Sequence, residues 1–428
     1  MEIRLPEKVK QIIHRITQAG YEAYAVGGCI RDSILGRVPD DWDITTSATP
    51  QQVKALFTRT IDTGIQHGTV TVMLDKEGFE VTTYRIDGKY EDGRHPTEVI
   101  FTPSLEEDLK RRDFTMNAMA YNDQDGLVDL FGGIRDMEAG VIRCVGNARA
   151  RFGEDALRIM RAIRFAAQLG YRIEEETFAA IRELAPTLCK ISAERIQVEL
   201  TKLVTSPHPE TMRVVYETGV AAVILPEFAR AMETCSGDHR ISAGEHSLAV
   251  MQLVSKTRAL RLAALFICVG NGDNELTAEL TRKILRRLRY DNDTIQNVCR
   301  LVLYHGYGAE AELNACTVRR AVSRIGEDLF PQFLELKKAH ILAQPENERI
   351  EQPERLALWN DLYAHILERG ECVSLKTLAV TGSDLIALGM KPGKELGETL
   401  KELLELVLEH PEYNTREYLC WMVRDKDK

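Results

Sequence analysis

The hydrophobic period of this chain changes once, near residue 145, and that change limits it to a small mixed α/β head followed by helices. Up to that point short β-type runs, Thr69-Val70-Thr71-Val72-Met73-Leu74, Phe79 to Tyr84 and Val99-Ile100-Phe101, lie between helical stretches. Beyond it apolar residues recur at helical spacing, broken at Thr205-Ser206-Pro207-His208-Pro209 and at Gln344-Pro345-Glu346. The expected layout is an α/β head over 1–145, a helical neck over 146–205, a helical body over 206–343 and a helical tail over 344–428. With 428 residues, 44% of them hydrophobic, the chain can bury several cores. It contains no apolar stretch of membrane-spanning length, about 18 residues or more, and its amphipathic, acid-bearing first helix is unlike a leader sequence. A cytoplasmic protein is expected.

The chemistry concentrates between residues 24 and 45. Tyr24-Ala25-Val26 reads as a strand, Ile30 to Leu35 as a helix, and Gly27-Gly28 as the turn between them. Backbone N–H groups at such a turn, Gly28 foremost, can approach phosphate oxygens with no side chain in the way. Arg31 can donate a fork of hydrogen bonds to the same phosphates, and Asp32 complements the helix dipole. A purely structural turn is the alternative. Asp41-Trp42-Asp43 follows, and residues i and i+2 of a strand share a face, so two carboxylates converge. A hard cation such as Mg²⁺, held by one or two carboxylates plus substrate phosphates, relieves their repulsion. Two solvated acids at a strand edge remain the alternative. Glu80, on the polar side of Phe79 to Arg85, is either a third acid of the site or an exposed strand glutamate.

A second pattern lies at 154–164. Asp155 and Arg158 are three apart, so on a helix they set an acceptor carboxylate beside a donor fork. Cytosine and adenine each offer an amino donor next to a ring-nitrogen acceptor, whereas uracil and guanine reverse that order. Such a pair therefore accepts CTP and ATP and rejects UTP and GTP by about 1–3 kcal/mol per bidentate contact. The alternative is an ordinary helix start. Arg161 continues round the same side, while Arg164 lies nine residues from Asp155, about half a revolution away on an ideal helix.

GGCIRDSILGRVPDDWDITTSATP, from Gly27, resembles the first signature of the class II nucleotidyltransferases, the polymerase β-like family that holds the tRNA CCA-adding enzymes and bacterial poly(A) polymerases. RRDFTMNAMAY at 111–121, DLFGGIRDMEAGVIRCVG at 129–146, EDALRIMRAIRFAAQLGY at 154–171 and ISAERIQVEL at 191–200 are similar to the next four, in order. The resemblance implies a polymerase β-like catalytic head followed by all-α neck, body and tail. It implies that Asp41 and Asp43 hold two Mg²⁺ ions, one activating an RNA 3′-hydroxyl and one neutralising the triphosphate. It places Arg112 on the nucleotide, with Asp113 and Asn117 at the sugar or in support, and Arg161 and Arg164 on the nucleotide or its phosphates. It implies template-independent addition of C, C and A to tRNA, with CTP and ATP as substrates and tRNA held by body and tail. A poly(A) polymerase, or an A-only or CC-only enzyme, is the rival, because the first four motifs are shared. Arg85 to Pro96, with Glu106-Glu107-Asp108 downstream, reads as a mobile loop, which the family uses in switching from C to A.

The formal charge of −10 argues against general affinity for nucleic acid, yet basic residues cluster locally. Seven arginines lie in 141–172 against only Glu154 and Asp155, and further clusters occur at 282–290 and at Arg319, Arg320 and Arg324. These can track an RNA backbone or simply be solvated helix faces. Nine cysteines without a CxxC pair fit a reducing compartment and no zinc framework, with Cys29 a small filler. The second half lacks the histidine–aspartate metal motif of many relatives, so no phosphohydrolase activity is expected and His246 reads as an ordinary helix residue. No protein partner is evident.

Overall fold

The computed structural model describes residues 2–88, 99–234, 241–308, 312–345 and 353–426. Two compact units divide the chain, residues 1–226 and 227–428.

The first unit begins with α1 (Glu7–Gln18), whose Val9, Ile12, Ile13 and Ile16 recur at helical spacing and are all buried. The strands β1 (Ala23–Val26), β2 (Ile44–Thr46), β3 (Thr60–Gly64), β4 (Thr69–Leu74), β5 (Glu77–Thr83), β6 (Arg85–Asp87), β7 (Val99–Phe101), β8 (Met119–Asn122) and β9 (Gly126–Asp129) follow. Seven of them form one sheet in the order β3-β4-β5-β2-β1-β8-β9. Every neighbouring pair is antiparallel except β2 with β5. That parallel pair matters for the site, because it fixes which residue of β5 stands beside the start of β2. The α/β head expected from the sequence is therefore observed.

Three short helices, α2 (Gly28–Ile34), α3 (Pro50–Leu56) and α4 (Leu105–Lys110), connect the strands. Thr49 and Gln52 cap α3 reciprocally, and Ser104 caps α4. Glu106-Glu107-Asp108, downstream of the expected loop, belong to α4, and Asp108 is wholly buried in it. The acids fall in the first turn, where they favour the helix, and Leu109 is drawn into the core with Tyr24, Val26, Tyr84 and Ala118. Upstream, β6 pairs with β7, and the segment between them, 89–98, lies outside the described residues. The expectation of a mobile, C-to-A switching loop falls largely there.

After α5 (Gly133–Glu138), with N–H groups of Gly133 and Ile134 bonded to Asp129, the unit is mainly helical. It contains α6 (Ala148–Glu154), α7 (Leu157–Leu169), α8 (Glu175–Leu184) and α9 (Ala193–Val204). Ile159, Met160, Ala162, Ile163 and Phe165 bury one side of α7, and Gly170 at φ +72° ends it.

The second unit is helical throughout its described residues. Trp359, on Pro353–Glu368, is fully buried against Phe330 and Phe333 of Phe330–Leu342. Cys372, Leu378, Val380, Leu385, Leu403, Val407, Leu419 and Val423 make a separate core towards the C-terminus. Arg319, expected with Arg320 and Arg324 as a possible RNA-tracking cluster, is instead buried. It donates to the Leu408 carbonyl at 2.7 Å and to Glu371 at 2.7 Å, so it joins helices rather than meeting a partner. Arg320 pairs with Glu405 and Glu409.

Candidate active site

Gly27 closes β1 with φ +84°, a conformation open to glycine, and Gly28 is the first residue of α2. A Cβ on Gly27 would lie 2.8 Å from Nη1 of Arg112, so the missing side chain is what lets that guanidinium close over the turn. Arg112 Nη2 lies 3.6 Å from buried Asp108, while its buried Nε has no partner among the described residues. Asp108 also accepts from Arg111 and from the Thr45 hydroxyl. Burial alone would raise its pKa, but the Arg111 and Arg112 charges and these bonds pull it below the ordinary value.

Asp41 and Asp43 lie in the extended segment just before β2 rather than in the strand itself. The Val26 N–H donates to the Asp43 carbonyl at 2.9 Å, so Asp43 continues the β1–β2 ladder beside the glycine turn. The parallel register begins with Ile44 beside Val81, so Asp43 and Glu80 are the residues that precede its first pair, and Glu80 feels the Asp43 charge. The Asp43 carboxylate reaches solvent yet is closely hemmed in by protein. That desolvation pushes its pKa up, Arg112 opposes the shift, and Asp41 adds to it. Desolvation followed by the Asp43 and Asp41 charges raises Glu80 likewise. Three carboxylates therefore feel one another at one end of the sheet. Among the described residues no three His, Cys, Asp or Glu side chains are grouped to cage a metal by themselves. An all-oxygen set that repels itself and leaves positions open suits a hard cation completed by phosphate and water.

Arg31 does not point a free fork at this turn. Its Nε and Nη2 donate to both oxygens of Asp32 at 2.9 and 2.8 Å, and its Nη1 donates to the Asn117 side-chain oxygen at 2.7 Å. Asn117 in turn donates to Asp113 at 3.0 Å, and Asp113 accepts Nε and Nη2 of Arg161 at 2.8 and 2.6 Å. Burial would raise Asp113, but the Arg161 charge and the Asn117 and Arg161 bonds hold it down to about 2. These residues form a continuous brace from the head into α7. It ends on Phe165, over whose ring Arg31, Arg161 and Arg164 sit at 4.9, 5.4 and 3.6 Å. Arg164 is buried and bonded to Glu199 and Gln168, at 2.8 Å each.

The Asp155–Arg158 pair expected on one helix face is not formed. The helix breaks at Asp155, whose backbone is extended (φ −141°, ψ 105°), so the i,i+3 spacing no longer describes side-chain neighbours. Asp155 caps the Leu157 N–H at 3.0 Å and pairs with Arg195 at 2.7 Å. Arg158 instead bonds Glu154 at 2.6 Å and the carbonyls of Arg151 and Arg111. Asp108, Phe165, Arg195 and Glu199 were not singled out from the sequence. Arg195 and Glu199 lie within ISAERIQVEL, but their partners are some 35–40 residues away and no local spacing announces them. His246 lies on Ala243–Leu253 with its Nε2 3.0 Å from Nδ1 of His340.

Three family models match in succession. They are the poly A polymerase head domain over residues 23–143, a probable RNA and SrmB-binding site of polymerase A over 170–232, and a putative tRNA nucleotidyltransferase domain 2 over 255–423. A CCA-adding enzyme of Levilactobacillus brevis is 38% identical over 397 residues, 93% of this chain and 92% of that one. One from Enterococcus faecalis is 38% identical over 423 residues, 97% and 95% of the two chains. The crystal structure of the Bacillus stearothermophilus CCA-adding enzyme in complex with CTP, 31% identical, superposes with a TM-score of 0.76 over 99% of both chains. End-to-end agreement at this identity, on a head whose acids gather beside a glycine turn, makes this chain a member of the CCA-adding enzyme family of nucleotidyltransferases.

Proposed function

We propose that this chain adds C, C and A to the 3′ end of tRNA without a nucleic-acid template, taking CTP and ATP and releasing pyrophosphate. The observation that carries this reading is the meeting of Asp41, Asp43 and Glu80 at the sheet end where Arg112 closes over Gly27. In the reaction the RNA 3′ oxygen bonds to the nucleotide α-phosphorus, the bond to the β-phosphate bridge breaks, and pyrophosphate leaves. Asp41 and Asp43 would hold Mg²⁺. When bound there, a pair of such ions supplies the Lewis acidity that favours the 3′ alkoxide and the departing diphosphate. Gly27, Gly28 and Arg112 receive the triphosphate, Arg112 bringing a buried Nε that lacks a protein acceptor among the described residues. The brace of Arg31, Asn117, Asp113 and Arg161 fixes the approach of α7 to that cradle.

Base choice falls to Asp155 and Arg158 as separate groups. Asp155, oriented by Arg195, keeps lone pairs for an amino donor, and Arg158 keeps N–H groups for a ring acceptor, beyond the bonds described above. Neck, body and tail with boundaries near 145, 205 and 343 complete the layout, the last two taking the tRNA. The test is to incubate the protein with tRNA ending at the discriminator base, give each nucleotide singly and in pairs, and sequence the products. CCA ends, with UTP and GTP refused, support the reading; long A tails on unrelated RNA, or arrest after CC with both nucleotides present, refute it.

A further inference from the structure

We propose that the turn over residues 36–40 is a seat for the terminal nucleotide of the RNA acceptor strand, with Val38 against its ribose and base and Arg37 on its phosphate. The inference rests on the CCA-addition reading and assigns residues outside the acids and the nucleotide cradle. Val38 is 93% exposed. A lone exposed valine is common on protein surfaces and by itself means nothing. This one stands three residues before Asp41, beside an exposed Arg37 that has no ion-pair partner among the described residues.

The turn is also built to hold its shape. Gly36, at φ +69°, reverses the chain as α2 ends, its N–H donating to the Ser33 carbonyl at 3.1 Å. The Arg37 N–H donates to the carbonyl of Asp32 at 2.8 Å, the residue whose carboxylate Arg31 grips, so the turn is tethered to the flank of the site. Pro39 fixes its own φ and confines Val38 to extended conformations, which presents the valine at little entropic cost on binding. The chain then enters Asp41 and Asp43. Val38 is only three residues from Asp41, a span of about 10 Å at most, so an RNA end whose 3′ oxygen approaches those acids comes within reach of this turn. An aliphatic face and an unpaired guanidinium match the apolar and anionic parts of a nucleotide.

The test compares Arg37→Ala, Val38→Ser and the double variant with wild type, using Arg59→Ala, an exposed arginine beside edge strand β3, as the control for simple charge loss. Initial rates are measured against tRNA and against CTP separately, and tRNA binding is followed over a salt series. Each single variant is expected to raise KM for tRNA about five- to tenfold, leaving KM for CTP as in wild type, because interactions with the acceptor strand alone are removed. Arg37→Ala should also reduce the salt slope of tRNA binding by about one. KM for tRNA within twofold of the Arg59→Ala control, or an unchanged slope, overturns the seat while leaving CCA addition standing. A wild-type chain that extends no tRNA overturns the functional reading, and the seat falls with it.

Discussion

Asp43 is pulled two ways. Desolvation and Asp41 raise its pKa, and Arg112 lowers it. Removing the guanidinium leaves only the raising influences, so Arg112→Gln should move the acid limb of the pH dependence of kcat/KM for CTP to higher pH, as well as weakening CTP. An unmoved limb would show that Arg112 does not act on this carboxylate. Asp113 is the opposite case, a buried acid held at about 2 after its arginine and asparagine partners outweigh desolvation. An acid with a depressed folded pKa stabilises fully above its unfolded value, about 3.9, and loses that contribution as pH falls towards 2. The shift corresponds to roughly 2–3 kcal/mol. Asp113→Ala leaves Arg161 and Asn117 without their acceptor and should cost about 3–5 kcal/mol in urea unfolding at neutral pH. A cost under about 1 kcal/mol would contradict the bracing role.

At the scale of elements, the strand–turn–helix at Gly27 was legible because its determinants are local: apolar run, two glycines, apolar helix. Gly27→Ala imposes both a strained φ and a Cβ 2.8 Å from Arg112, and it should lower kcat/KM for CTP at least tenfold while the protein stays folded. An alanine variant with wild-type nucleotide kinetics would remove the turn from the site. The neighbouring acids were also readable, since i and i+2 in an extended segment share a face whether or not the strand has formally begun. The partner of Asp155 was not legible, because it is not local. Helical spacing points to a partner three residues away, whereas the helix ends there and Arg195 arrives from α9. The same holds for Arg161, whose acceptor Asp113 is 48 residues distant, and for Arg31, whose link to Asn117 spans 86. Helical periodicity shows which side of α7 is buried but not which carboxylate awaits it.

For the whole molecule, the period change near residue 145 foretold a mixed head and helices beyond it, and both are present. Charge clustering was a poorer guide, because Arg319 reads as a surface cation until its carbonyl and carboxylate partners are seen. The second unit also holds a histidine group that no motif announces. His340 stands between His246 and His305 and bonds Gln344, with buried Lys337 nearby. Burial first, then the other histidines and Lys337, push His340 well below its ordinary value, and burial lowers His305. For such bases the unfolded chain takes up protons first, so stability is complete above about pH 6.5 and declines as pH falls below it. The second unit should therefore expose Trp359 on mild acidification, read by its fluorescence, and His340→Gln should flatten that dependence. Equal acid sensitivity of wild type and variant would contradict this.

The central claim is that Asp41 and Asp43 carry nucleotidyl transfer while other groups hold the nucleotide. Asp43→Asn keeps the shape and removes the charge, so the most direct measurement is single-turnover incorporation of labelled CTP into tRNA lacking its CCA end, alongside CTP binding by the same protein. Incorporation reduced at least a thousandfold, about 4 kcal/mol of barrier, with CTP still bound, is the predicted result. Incorporation within tenfold of wild type would contradict it.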